Sequence, residues 1–266
     1  MSDAAEGLTV ANPANVARPT TDAVAAAAAH PSLRPASPGA GVTTSSWPFD
    51  PTVACISTLD HTRGVDPGRF RDAVVRAERH GARLVRTGAL GSAAMAVAVS
   101  CGFRVIDELV LLRAPIDAIP VGDRRGVRAL SRRHHRLASR IDVAAFGPLW
   151  GFDADAIAHA RRATRTAWAA TVRDPAGLDG VGGYAVCGVA DEVGYLQRVA
   201  VHPSCARRGH GRRLVTSAAA WCRRHRCSSM LVNTGVDNDP ARALYEDLGF
   251  VDTGGRLWVL EWVPPR

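Results

Sequence analysis

The sequence predicts an α/β protein built from two related units, each running strand, helix, strand, helix, strand. Two observations predict it. Apolar residues recur alternately with helical and strand periods, and the order of elements that starts near residue 53 returns near residue 194. With 266 residues, 47% of them hydrophobic, the chain can bury one large core or two modest ones.

Residues 1–47 are rich in Ala, Pro, Ser and Thr and hold no sustained period. They are expected to form a disordered tail, because they cannot bury enough apolar surface to offset ordering. A first unit is expected over residues 48–119: an apolar stretch at 53–57, a helix at 68–80, a strand at 82–86, a helix at 92–101 and a strand at 105–112. The Arg- and Gly-rich residues 121–140 then hold a boundary and the first strand of a second unit, residues 123–266. Helices flank the loop AFGPLWGFDADA, where Asp153 is an N-cap candidate. Strands at 167–172 and 183–189 are joined by a Gly-, Asp- and Pro-rich turn. A strand at 194–201, a helix at 211–225, a strand at 229–234, a helix at 239–248 and a strand at 257–263 complete the unit. Placing Gly102-Phe103 over Gly249-Phe250 superposes the last helix and strand of both units.

The net charge is +8, and all the basic residues are arginines. A basic chain invites a nucleic-acid partner, since arginines release counterions from phosphates. These arginines are spread along the length, however, and the densest run, SRRHHRLASR, has no aromatic on which a base would stack. Nucleic acid is therefore not the expected partner. The six cysteines show neither CxxC spacing nor zinc-type pairing with His, so no metal is expected. No apolar run reaches the roughly 18 residues of a membrane span, and the N-terminus lacks an export pattern. A cytoplasmic protein without a membrane partner is the expectation.

The chemistry concentrates in YLQRVAVHPSCARRGHGRRLV, residues 195–215. Gly209 and Gly211 fall where a loop becomes a helix, so unpaired backbone N–H groups and the positive helix end can hold a pyrophosphate. Arg207, Arg208 and Arg212 add charge beside them. Such a GxG also reads as a flexible turn. Further along comes NDPARALYEDLGF, residues 238–250. Asp239-Pro240 starts a helix and Gly249 stops one by cap chemistry alone. Tyr245 shares a face with Ala241 and Leu248, as a buried aromatic would.

Together the two motifs resemble the GNAT superfamily of N-acetyltransferases, in outline over residues 127–263 and specifically over 183–250. The resemblance implies a GNAT fold, a mixed and mostly antiparallel central sheet flanked by helices, here preceded by a partial GNAT-like repeat. It implies acetyl-CoA as co-substrate, with Val199, Ala200 and Val201 pairing with pantetheine. Arg207, Arg208, Gly209, His210, Gly211 and Arg212 match the pyrophosphate loop, and Asn238 and Tyr245 match the helix pair near the thiol. Ala206 stands where the family has Gln or Arg. Asn233 stands where some relatives carry a glutamate base, which leaves the base unassigned.

The implied reaction is direct attack of a neutral amine on the thioester, with Tyr245 protonating the departing thiolate; no metal is needed. Without a carboxylate base, a low-pKa acceptor such as a peptide or protein N-terminus is favoured. Asp191 and Glu192 are candidate bases through water or solvated turn residues, and Trp150 and Phe152 line either an acceptor cleft or the core. In the first unit Gly91 stands opposite Asn238 and Ala98 opposite Tyr245, so that unit reads as degenerate. Two other classes stay open: a non-catalytic acetyl-CoA sensor, and an arginine-rich nucleic-acid-binding protein.

Overall fold

The computed structural model describes residues 9–10, 42–58 and 65–263. In chain order the elements are β1 (Thr9–Val10), β2 (Val42–Trp47), β3 (Asp50–Thr58), α1 (Pro67–Arg79), β4 (Leu84–Thr87), α2 (Ser92–Ser100) and β5 (Arg104–Pro115). There follow β6 (Val127–Ala129), α3 (His135–Trp150), α4 (Ala154–Arg162), β7 (Thr166–Leu178), β8 (Val181–Ala190) and β9 (Val193–Val201). The chain closes with α5 (His210–Arg224), β10 (Ser229–Gly235), α6 (Asp239–Asp247) and β11 (Val251–Trp262). The expected tail is shortened at one end. Val42–Trp47 pairs with β3 and buries Val42 and Trp47, so ordered structure begins before residue 48. Apart from β1, the rest of that segment lies outside the described residues.

The helices follow from their sequences. In α1, Asp66 caps Gly68 N at 2.9 Å, Pro67 fills the first turn, and Phe70, Ala73, Val74 and Ala77 form one buried face. The Gly-Phe pair of each unit is a helix stop. Gly102 and Gly249 both adopt φ +87°, and the following Phe103 and Phe250 donate their N–H to Ala98 O and Tyr245 O. That is the left-handed glycine cap with its buried apolar residue, used twice.

The sheet order is β2-β3-β4-β11-β5-β10-β9-β8-β7-β6. Its centre reads alike from both ends. β3 and β4 are parallel, as are β9 and β10, while β4/β11, β11/β5 and β5/β10 are antiparallel. Helix α1 joins β3 to β4 as α5 joins β9 to β10, and α2 and α6 precede β5 and β11. The duplication is therefore real, but each unit lends its last strand to the other: β5 lies against β10 and β11 against β4. Domains drawn as 48–119 and 123–266 share one sheet and interlock through it.

Helices α5 and α6 cover one face over a core that includes Leu196, Val199, Leu214, Tyr245 and Phe250. Helices α3 and α4 cover the other face over Tyr184, Val186 and Ala200. Strand alternation sends Val199 to the first side and Ala200 to the second.

Candidate active site

β9 and β10 pair only from Val193 to Tyr195 and from Ser229 to Leu231. Beyond that they diverge, leaving a wedge whose β9 edge is met, among the described residues, by β1 alone, at Val199 and Ala200. Inside the diverging part, β9 carries an irregularity against β8 at Gln197, between the pairs Val186/Arg198 and Cys187/Leu196. Gln197, Asn233 and Thr234 are buried, and each has a side-chain polar atom without a partner among the described residues.

β9 leads straight into the phosphate-loop candidate. Arg207 and Gly209 adopt φ +60° and +76°, and Gly209 is the N-cap of α5. The glycine takes this left-handed turn without the Cβ cost borne by other residues. A cavity of about 490 Å³ opens between this turn and α6, lined by Arg207, Gly209, Gly211 and Arg212 on one side and Leu244 and Asp247 on the other. The first-turn N–H groups of α5 and its positive end meet there, which is a setting for an anionic group.

The arginines differ in their engagement. Arg212 forms a salt bridge with Asp247. Arg208 reaches Asp174 at 3.2 Å, whereas exposed Arg207 has no ion-pair partner among the described residues. His210 lines the same cavity but is itself buried, and its Nε2–H donates to Asp174 Oδ2 at 2.7 Å. Asp174 also accepts from Ala176 N. The bonds from His210 and Ala176, with the Arg208 charge, hold its carboxyl well below the usual range.

Asp174, Cys205 and His210 bring potential metal-ligating atoms within 4.8 Å of one another. Asp174 serves three donors, His210, Ala176 N and Arg208, and so ties β7 to the loop before α5. Burial raises the Cys205 thiol, which keeps it neutral.

On α6, Asn238 caps the helix, its Oδ1 accepting from Ala241 N at 3.3 Å. Tyr245 is fully buried, packs on Phe250 at 5.3 Å, and its hydroxyl has no partner among the described residues. Burial pushes its phenol well above the ordinary value. Asp191 and Glu192 stand exposed in the turn before β9, eight and seven residues from Val199, the nearer roughly 23 Å away along an extended strand. That is too far for a base at Val199.

Residues 140–250 match the model of the acetyltransferase (GNAT) family. Those residues, within the second unit, form a GNAT domain. The family implies an acyl-CoA co-substrate. Among solved structures, a tandem GNAT protein from the clavulanic acid biosynthesis pathway is similar at 17% identity and TM-score 0.56, covering 81% of this chain and 76% of that one. A GCN5-related N-acetyltransferase from Sphaerobacter thermophilus aligns at 15% identity and TM-score 0.55, covering 85% and 77%. One from Kribbella flavida aligns at 17% and 0.54, covering 85% and 88%. These three likenesses extend over both units and concern the fold. No curated protein matches the sequence. Among the described residues, no helix is long and apolar enough to cross a membrane.

Sequence reasoning missed Asp174, read only as part of a polar turn, and the cluster around Arg198. An arginine within the apolar run of β9 was the available signal, because a charge there needs a buried partner.

Proposed function

We propose that the GNAT domain transfers an acetyl group from acetyl-CoA to a primary amine by direct attack. Val199, Ala200 and Val201 pair with pantetheine through their backbone in place of β1. The turn from Arg207 to Arg212 and the start of α5 hold the pyrophosphate, with Asn238 beside the cofactor at the head of α6. Tyr245 is the general acid that protonates the thiolate as the C–S bond breaks. The observation that carries this reading is the arrangement of a left-handed glycine turn at the head of α5, a diverging strand pair beside it, and a fully buried tyrosine hydroxyl without a partner among the described residues.

The acceptor is a low-pKa amine, such as a peptide or protein N-terminus. An α-amine of pKa ~7.8 is roughly one-third neutral near pH 7.4, whereas a lysine at ~10.4 is neutral about once in a thousand. The test is thiol release from acetyl-CoA against N-terminal peptides, lysine peptides, polyamines and aminoglycosides. Release with an amine is the expected result. Acetyl-CoA binding without release from any amine would make the protein a sensor, and steeply salt-dependent binding to DNA without release would make it a nucleic-acid binder.

A further inference from the structure

Arg198 immediately precedes Val199 on β9, and its side chain is 0% exposed. Its Nε and Nη2 donate to Asp142 Oδ2 and Oδ1 at 2.8 and 2.5 Å, and Nη2 also donates to Trp150 O at 2.8 Å. Asp142 further accepts from Phe152 N at 2.5 Å and from the Tyr184 hydroxyl at 2.5 Å. The guanidinium lies over the rings of Phe146 and Phe152, 3.5 and 4.0 Å from their centroids. Trp150 at the end of α3 and Phe152 in the connection to α4 are thus bonded through their backbones to one ion pair on β9.

The connection is shaped for this. α3 breaks at Gly147, where φ is +76°, and Pro148 follows. A Cβ on Gly151 would meet Val143 Cγ2 at 2.8 Å and Gly147 O at 2.9 Å, so the chain doubles back at close range. The first unit holds it from outside. Trp47 donates Nε1–H to Leu149 O at 3.0 Å and packs edge-on against Trp150 at 5.9 Å.

A completely buried ion pair adds little net stability over apolar residues of the same shape. What the bidentate pair supplies is a fixed geometry between strand and loop. If α6 and Tyr245 cover one side of the thioester, the amine must approach from the α3–α4 side, where this loop lies.

We propose that Arg198 and Asp142 are positioning residues for the acceptor amine: they fix the Trp150–Phe152 loop against the cofactor strand, and Trp47 of the first unit is its outer brace. This rests on the acyltransferase reading above. The test uses the full chain, with the amine that the parent turns over fastest, and two variants. Trp47→Phe removes one donor and keeps a ring, while the double variant Arg198→Met/Asp142→Leu replaces the pair by apolar shape. Acceptor KM should rise about fivefold in the first, as for one lost hydrogen bond, and about tenfold or more in the second. CoA affinity by calorimetry should stay within about twofold of the parent. Unchanged acceptor KM in Trp47→Phe, or CoA affinity falling by the same factor as acceptor KM, overturns the proposal. If the double variant does not fold, Trp47→Phe decides alone. A parent that releases no thiol with any amine overturns the acyltransferase reading instead, and the positioning role with it.

Discussion

At the scale of single residues, Tyr245 separates catalysis from packing. A hydroxyl that donates its proton only as the C–S bond breaks contributes to the transition state and little to cofactor binding. Tyr245→Phe is expected to lower thiol release about 10² to 10⁴-fold while leaving CoA affinity nearly intact. A changed melting midpoint with unchanged turnover would return the residue to the core. Because burial raises its pKa, the phenol is neutral throughout the physiological range. Rate against pH should therefore rise with deprotonation of the amine and show no Tyr245-dependent fall below about pH 10. A falling limb near pH 8 that disappears in Tyr245→Phe would contradict this.

Asp174 carries the opposite shift, and the sign runs the other way. A carboxyl depressed in the folded state stabilises the fold above its unfolded pKa of ~3.9 and loses that contribution as pH falls towards its lower folded value. Parent and Asp174→Asn should thus differ in urea midpoint at pH 7 and converge as pH drops below about 4. A constant difference would rule the carboxylate out as the cause. Tyr245 was visible in the sequence because a motif surrounds it. Asp174 was not, since its partner His210 lies 36 residues away.

At the scale of elements, periodicity and caps located most helices and strands, and Asp153 caps α4 as its position suggested. The left-handed turn at Gly209, proposed to hold the phosphates, was legible for the same local reason, as glycines before an amphipathic run. Its test is also local. Gly211→Asp places bulk and negative charge at the first turn of α5, so CoA should bind more weakly. Calorimetry showing parental affinity would remove the loop assignment. Strand β11 was read too short because residues 251–256 carry Gly254, Gly255 and polar side chains that hide the strand period. Its register slips between Asp252 and Arg256 against β5, an irregularity that a period-two pattern does not reveal.

At the scale of the whole molecule, the duplication was readable and the exchange of strands was not. Gly-Phe stops are local signals, whereas which sheet a closing strand joins is decided by contacts across the chain. β11 lies between β4 and β5, both in the first unit, so residues 120–266 alone lose both partners of β11 and one neighbour of β10. That fragment is expected to be insoluble alone and to be recovered when co-expressed with residues 1–119; a stable, soluble fragment would refute the interlocked sheet. In the first unit Ala98 stands buried where the GNAT domain has Tyr245, and Gly91 is the N-cap of α2 with no side-chain cap, so no second cofactor site is expected there. Titrating acetyl-CoA into the intact chain by calorimetry addresses both units at once. One equivalent should bind per chain, and Gly211→Asp should weaken or abolish that binding. Two equivalents per chain, or a Gly211→Asp variant that binds like the parent, would contradict a single cofactor site at the head of α5.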